Sequence, residues 1–385
     1  MGGDVVYLDH AATTPVRPEV LEAMLPFLSG GFANPSGSHR LARAARRSLD
    51  DARDDVAAVL GCRPGEVVFT SGGTEADNLA VLGVLEATEG AASAVCPAAE
   101  HHAVLHTVER AGGTIVAVDE AGRVRLDALA EALGPDVAVV SVMAVNNEVG
   151  SITDLAAVAT VVREHAPGAL LHTDAIQATC WLDLRELWPH VDLLSLSAHK
   201  FGGPKGVGIL VQREGAAIEP LIVGGGQERD RRSGTHNVAG IVAAAVALAA
   251  TDAERPAENV RLAALRDRLV AGLLAAVPDV RETVAPEWKV AGSAHVMFAD
   301  VESEALLYLL DQAGVCASAA SACASGAMDP SHVLAAMGVD RRWAAGALRL
   351  SLGRTTTDGD VEVAIDAIAG AVTTIRERTA ARLRA

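Results

Sequence analysis

Lysine is nearly absent from this chain. Of 32 lysines and arginines only Lys200, Lys205 and Lys289 are lysines. Arginine stays protonated and cannot serve as an imine-forming amine, so a lysine retained against this bias points to required chemistry. Aromatics are also scarce, at 3% against 50% hydrophobic residues, so the core is aliphatic and rich in alanine. The five cysteines, Cys62, Cys96, Cys180, Cys316 and Cys323, include no Cys-x-x-Cys pair, which excludes a zinc knuckle or a disulfide framework and makes a reducing cytoplasm the expected setting. A basic leader followed by an apolar stretch is missing, since Asp4 and Asp9 intrude early. No uncharged apolar run reaches membrane-spanning length; the longest, Val238–Ala250, reads as a buried helix. Positive charge is in deficit, and a net charge of -17 argues against general binding to nucleic acid or anionic membranes.

The 385 residues allow a large α/β domain with a smaller companion. Strand and helix patterns alternate: strand Glu66–Thr70 then helix Thr74–Thr88, strand Val137–Met143 then helix Asp154–His165, and further strands at Leu170–Thr173, Val191–Ser197 and Val207–Gln212. Strands spaced by helices predict a mostly parallel sheet with helices on both faces. Beyond residue 250 the texture changes. A long helix Glu258–Ala276, strand Ala294–Ala299, helix Glu304–Asp311, strand Ala347–Leu352 and helix Gly359–Arg382 predict a smaller α+β unit. The expected division is 15–255 for the large unit, with 1–14 and 256–385 forming the small one.

The most informative element is Ser197-Ala198-His199-Lys200, which follows the apolar run Val191–Leu196 and precedes Phe201-Gly202-Gly203-Pro204-Lys205-Gly206. A lysine at a strand end beside a hydroxyl and an imidazole suits an amine that forms a Schiff base with a cofactor aldehyde. Asp174 ends the strand Leu170–Thr173, where ligands bind in a doubly wound sheet, and a carboxylate there holds a pyridine nitrogen protonated. A helix N-cap is the plain alternative for Asp174. Thr70-Ser71-Gly72-Gly73-Thr74-Glu75 lies between a strand and a helix; Gly72 and Gly73 let the backbone approach one phosphate, and Thr74 opens the helix. The bland reading there is an N-cap at Ser71 or Thr74.

Five further segments carry candidate chemistry. In Glu100-His101-His102, a histidine at a strand end could stack on a ring and move protons. In Asn146-Asn147-Glu148, an amide could reach a ring hydroxyl or a substrate carboxylate, with turn formation as the alternative. Gly224–Thr235 combines flexible glycine with Arg229, Arg231 and Arg232 and could complete an anion site in its own or a neighbouring subunit. Cys316–Gly326 is rich in small residues without a large anchor, which makes Cys323 a deliverable nucleophile and leaves Cys316 the more buried thiol. Arg349, flanked by leucines, needs a partner: a substrate carboxylate held in bidentate fashion or an internal acid. The tail arginines Arg376, Arg378, Arg382 and Arg384 read as a solvated face or as a dock for an acidic acceptor.

Taken together these segments resemble the pyridoxal-phosphate-dependent cysteine desulfurases of the NifS/IscS-like kind, within the class V aminotransferases of fold type I. The matching stretches are Tyr7–Pro15, Ser71–Glu75, Glu100–His102, Asn146–Glu148, His172–Asp174, Ser197–Lys200, Arg232–Thr235, Ser321–Cys323 and Arg349–Arg354, in the family's order over nearly the whole chain. The resemblance implies a seven-stranded, mostly parallel sheet and a homodimer. It implies Lys200 as the Schiff-base amine, Asp174 on the pyridine nitrogen, Gln177 on the ring oxygen and His101 stacked on the ring. Gly73, Thr74, Ser197 and His199 would hold the phosphate, joined by Thr235 from the partner subunit. Asn147, Arg349 and Asn34 would hold the substrate carboxylate. Cys323 would take sulfur from L-cysteine as a persulfide, release L-alanine and pass the sulfur to an acceptor for iron–sulfur cluster assembly or thiolation. No metal is implied. The long segment after Cys323 fits the NifS/IscS-like branch. Two positions depart from the pattern: Ala198 and Ala320 stand where many relatives have glycine.

Two other functions compete. A selenocysteine lyase or an aminotransferase of the same fold would share the lysine and the acid, and an aminotransferase needs no Cys323. A sulfur-transfer scaffold that had lost catalysis would not need Lys200, Asp174 and His101 together.

Overall fold

The computed structural model describes residues 5–90, 92–319 and 331–384. Cys323 and Ala320 lie outside the described residues. Twelve strands are present among them: β1 (Val6–Tyr7), β2 (Val67–Thr70), β3 (Ser93–Pro97), β4 (Thr114–Val116), β5 (Val137–Ser141), β6 (Leu170–Asp174), β7 (Leu193–Ser197), β8 (Gly208–Gln212), β9 (Val280–Glu282), β10 (Ser293–Phe298), β11 (Val315–Cys316) and β12 (Ala347–Ser351). Seven form one sheet in the order β2-β8-β7-β6-β5-β3-β4. Only β8 runs against the rest. The central strands β5 to β8 are buried along their length, which is why they read as unbroken apolar runs. One apolar core lies between the sheet and the helices Arg40–Leu60 and Leu155–His165; a second, built on helix Gly73–Ala87, covers the other face.

The C-terminal third builds an antiparallel sheet β12-β10-β9 with its own aliphatic core. The N-terminal segment joins this part: β1 pairs in parallel with β11, and Asp9 bridges Ser351. One prediction is corrected here. Val238–Ala250 and Glu258–Ala276 are not separate helices but parts of a single 39-residue helix, Val238–Ala276, that runs through Pro256. Proline forfeits one intrahelical bond. The helix survives because each half is buried in a different core: Ile241–Leu248 against the large sheet, Leu262–Leu273 against the small one. Among the described residues no helix is long and apolar enough to cross a membrane.

Candidate active site

The loops after β3, β5, β6 and β7 open on the same side of the sheet, at the carboxyl ends of its parallel strands, where α/β sheets place ligands. A cleft there is lined by Asn147, Gln177 and Lys200, by His10 and Ala11 of the N-terminal segment, and by Ser351–Thr355 after β12. It therefore draws on both parts of the chain.

Lys200 closes the short 3-10 turn Ala198–Lys200 at the end of β7. Its Nζ donates to the carbonyls of Ala11 (2.6 Å) and Ala12 (3.0 Å). The Gln177 amide donates to the same Ala11 carbonyl at 2.8 Å. Ala198 is not in the left-handed region, so this turn does not require the glycine of the family pattern. Gly202 does need to be glycine: its φ is +85°, and a Cβ would lie 2.7 Å from the Arg17 side chain.

Asp174 is buried at the end of β6 and accepts from the Ile176 amide at 2.8 Å. Burial pushes its carboxyl up to about 6, against the opposing pull of the Ile176 N–H and the Lys200 charge. His101 is the N-cap of helix His102–Arg110, and its Nδ1 accepts from Ala103 N at 3.1 Å. That bond places the ring proton on Nε2. Burial, followed by the Lys200 charge, holds His101 down to about 4, so it is a neutral donor at physiological pH. Asp77, His101 and Asp174 bring ligand-type atoms within 4.8 Å of one another. A protonated Nε2 is not a metal ligand, which makes this trio a polar wall and not a cation site.

Gly72 precedes helix Gly73–Ala87 with no capping side chain, so the first amides of that helix face outward without a side-chain acceptor. A Cβ on Gly73 would lie 2.1 Å from Ile176 Cδ1 and 3.3 Å from Ser197 Cβ, so glycine is required by close approach. Thr74 is exposed in this first turn, and Ser197 is buried at the end of β7. His199 Nδ1 lies 3.1 Å from Thr13 Oγ1. Burial and then the Lys200 charge lower His199 to about 4.

The arginines after Gly224–Gly226 are committed within the chain. Arg232 pairs with Glu75 at 2.8 Å, Arg229 donates to Gly65 O, and Arg231 donates to Gln212 Oε1 and the Glu228 carbonyl. Within this chain these three cations are therefore held by internal bonds. Thr235, at the end of the segment, is exposed.

Arg349 has the internal partner that sequence left open. Its NH2 donates to Asp9 Oδ1 at 2.8 Å and its NH1 to the Asn147 carbonyl at 2.9 Å, while Nε has no partner among the described residues. The Asn147 side-chain oxygen is also buried without a partner. Asn146 serves the turn, accepting from the amides of Glu148 and Val149. Asn34 is exposed, accepts from Ser36 N in its own turn, and does not line the cleft. The two ends of the segment carrying Cys323 are tied beside Arg349 and Asn147: Ser318 exchanges backbone bonds with Arg349, and the Ser331 hydroxyl bonds buried Glu148. Cys316, in β11, is half-buried. Arg376, read as solvated or docking, instead caps the carbonyls of Pro278, Asp279 and Ala299.

Three buried groups were given no role from the sequence. Asp77 and Glu100 are wholly buried acids, and His172 is clamped between Ser141 Oγ (2.8 Å) and Ser195 Oγ (2.9 Å). The available signal was an acid among Ala76, Leu79 and Ala80 on a helix packed against the sheet.

The aminotransferase class-V family model matches residues 6–363. An IscS-like cysteine desulfurase of Mycobacterium tuberculosis is 45% identical over 97% of both chains. A cysteine desulfurase of Gluconacetobacter diazotrophicus is 42% identical over 97% of this chain and 95% of its own. Among solved structures, a NifS-like protein superposes with a TM-score of 0.90 at 37% identity, covering 96% of this chain and all of the other. A structure described as SspA in complex with cysteine gives 0.77 at 32% identity over 90% and 98% of the two chains. With the strand-end lysine, the buried acid and the glycine-opened helix in place, these matches show that the chain belongs to the class-V aminotransferase family, among its cysteine desulfurases.

Proposed function

We propose that this enzyme converts L-cysteine to L-alanine with pyridoxal phosphate, and that Cys323 receives the sulfur. The observation that carries the reading is the setting of Lys200, at the end of β7, with buried Asp174 ending the neighbouring β6. The donor set fits the cofactor. Uncapped amides at Gly73 and Thr74 suit a phosphate, Gly73 admits no side chain beside Ser197, and the buried Asp174 carboxylate suits a cationic ring nitrogen. Thr74, Ser197 and His199 would add phosphate contacts, with Thr235 supplied by the partner subunit of a homodimer. Gln177 would turn from the Ala11 carbonyl to the ring oxygen.

When bound, the cofactor supplies an aldehyde for the amine and a ring that stores the electron pair left at the substrate Cα. Lys200 Nζ takes and returns the Cα proton. His101 presents Nε2–H to the ring side of the cleft and relays protons. Arg349 and Asn147 bind the substrate carboxylate, which competes with Asp9 for the guanidinium. The Cys323 thiolate attacks the substrate sulfur: the Cβ–S bond breaks, an S–S bond forms, and proton return completes L-alanine. L-cysteine and one thiol thus become L-alanine and one persulfide, with no external oxidant. The persulfide is then passed to an acceptor protein in the cytoplasm, for iron–sulfur cluster assembly or thiolation. The division at residues 255/256 assigns cofactor binding to the large unit and Cys323 to the small one, in line with their separate cores.

Borohydride reduction followed by peptide mapping tests the amine; the label is expected on Lys200, and a label on Lys205 or Lys289 overturns the reading. Alanine and sulfide released from L-cysteine under reductant test the thiol. Cys323→Ser is expected to lose sulfide release, and equal release from both forms removes Cys323 from the mechanism.

A further inference from the structure

Asp77 occupies an unusual position for an acid. It is wholly buried on helix Gly73–Ala87, one turn after the uncapped helix start, and among the described residues neither carboxylate oxygen has a partner in good hydrogen-bond geometry. An ionised carboxylate in that state carries an uncompensated desolvation cost. Its surroundings supply no cation in contact. His172 Nε2 lies 3.8 Å from Oδ1, but that nitrogen is engaged by Ser195, and burial drives His172 down to about 3, so it is neutral. His101 is neutral for the reasons given above. Asp174 and Asp77 lie within the same 4.8 Å group, and wholly buried Glu100 adds a third carboxyl whose Oε2 is unpartnered. Among the described residues, the cation that acts on this set is Lys200, through Asp174.

Like carboxyls packed this closely share protons, and one cation supports one anion. Glu100 and Asp174 each accept from a backbone amide, Met143 and Ile176, but only Asp174 also feels the lysine charge, so it keeps the charge. Burial, then the Asp174 charge, raises Asp77 well above the carboxylate range against the pull of the Ser195 hydroxyl; burial and the Asp174 charge do the same to Glu100 against the Met143 amide.

We propose that Asp77 is a positioning residue for Asp174: an uncharged carboxylic acid whose O–H turns toward the Asp174 carboxylate and steadies the single negative charge that a protonated ring nitrogen requires. The proposal rests on the reading of Asp174 as the ring-nitrogen partner and adds the group behind it that selects which acid is ionised. Asp77 touches neither cofactor nor substrate; it acts through Asp174.

The test uses the full-length protein. Infrared difference spectra of the cofactor-free form at neutral pH, wild type minus Asp77→Asn, are expected to show the carbonyl band of an un-ionised carboxylic acid. A carboxylate pair of bands in its place overturns the proposal, whatever the variants do. The affinity for pyridoxal phosphate and the absorbance titration of the bound cofactor are then followed. Asp77→Asn keeps a neutral donor and is expected to stay within about twofold of wild type, with an unchanged titration midpoint. Asp77→Leu removes the donor and is expected to weaken affinity about tenfold or more, the scale of a hydrogen bond to a charged group, and to move the midpoint. A midpoint moved as far by Asn as by Leu shows that Asp77 was ionised. A midpoint unmoved by Leu, with only thermal stability lowered, shows that Asp77 merely fills space. Asp174→Asn is the separate control: if it leaves affinity and spectrum intact, the reading of Asp174 itself fails, independently of the infrared result.

Discussion

Arg349 shows how one residue can answer to both readings of its sequence. A cation between leucines needed a partner, and Asp9 is that partner, yet Nε and the Asn147 side-chain oxygen remain unsatisfied beside the cleft. The planar fork that spans Asp9 and the Asn147 carbonyl cannot be copied by a point-charge ammonium. Arg349→Lys is therefore expected to raise KM for L-cysteine by about tenfold or more, with the cofactor absorbance unchanged. Equal KM values for the two forms remove Arg349 from substrate binding. The positions of Lys200, Asp174 and Gly73 were legible in sequence because each sits where a strand ends or a helix starts. Asp77 was not legible, because an acid inside a helix looks solvated until the sheet is seen to bury it. The committed state of Arg229, Arg231 and Arg232 was hidden for a similar reason: their partners Gly65, Gln212 and Glu75 come from remote parts of the chain.

At the scale of elements, the segment 224–235 is held against its own backbone preference. Glu228, Arg229 and Asp230 all adopt positive φ, at 50°, 58° and 64°. Left-handed geometry costs roughly 1–2 kcal/mol for each such residue. The buried Glu228 carboxylate offsets this. It takes both Arg53 guanidinium nitrogens at 2.7 and 2.8 Å, the Phe69 amide at 3.1 Å and His236 Nε2 at 2.9 Å. Burial would raise this acid, but His236 and Arg53 outweigh it and bring Glu228 down to about 2. Glu228→Ala leaves Arg53 buried and unpaired, so a loss of about 3–5 kcal/mol is expected in urea unfolding. A loss below about 1 kcal/mol would show that the segment is held by other means. The glycines and charges were visible in sequence, but not the strain, because the nonglycine residues at positive φ are stabilised by groups from β2 and helix Arg40–Leu60.

For the whole molecule, stability on the acid side is set by two opposing sets of buried groups. His10 and His101 are lowered to about 4, and His172 and His295 to about 3, in each case first by burial. A histidine whose folded value lies below its unfolded value of about 6.5 stabilises fully above that pH. The contribution is lost as pH falls from there through the folded value. Asp174 works the other way: raised to about 6, it favours the fold below its unfolded value and loses that advantage as pH rises toward 6. His199 is lowered to about 4 as well, so these five histidines oppose four buried acids, since Asp77, Glu100 and Glu148 are raised like Asp174. The urea midpoint of the cofactor-free protein should therefore fall only modestly between pH 7 and pH 5, and a midpoint that rises over this range contradicts the assignment of these histidines as neutral. The change of texture near residue 250 was visible in sequence, but reading Val238–Ala250 and Glu258–Ala276 as separate stretches missed that one helix runs through Pro256, since a local breaker yields to burial on both sides. That helix has a mechanical consequence. At roughly 58 Å for its 39 residues, it is a spar embedded at each end in a different half of the body. Neither half can melt without fraying the spar that the other still grips, so heat should release the molecule in one step, as a beam fails rather than as two beads coming off a string.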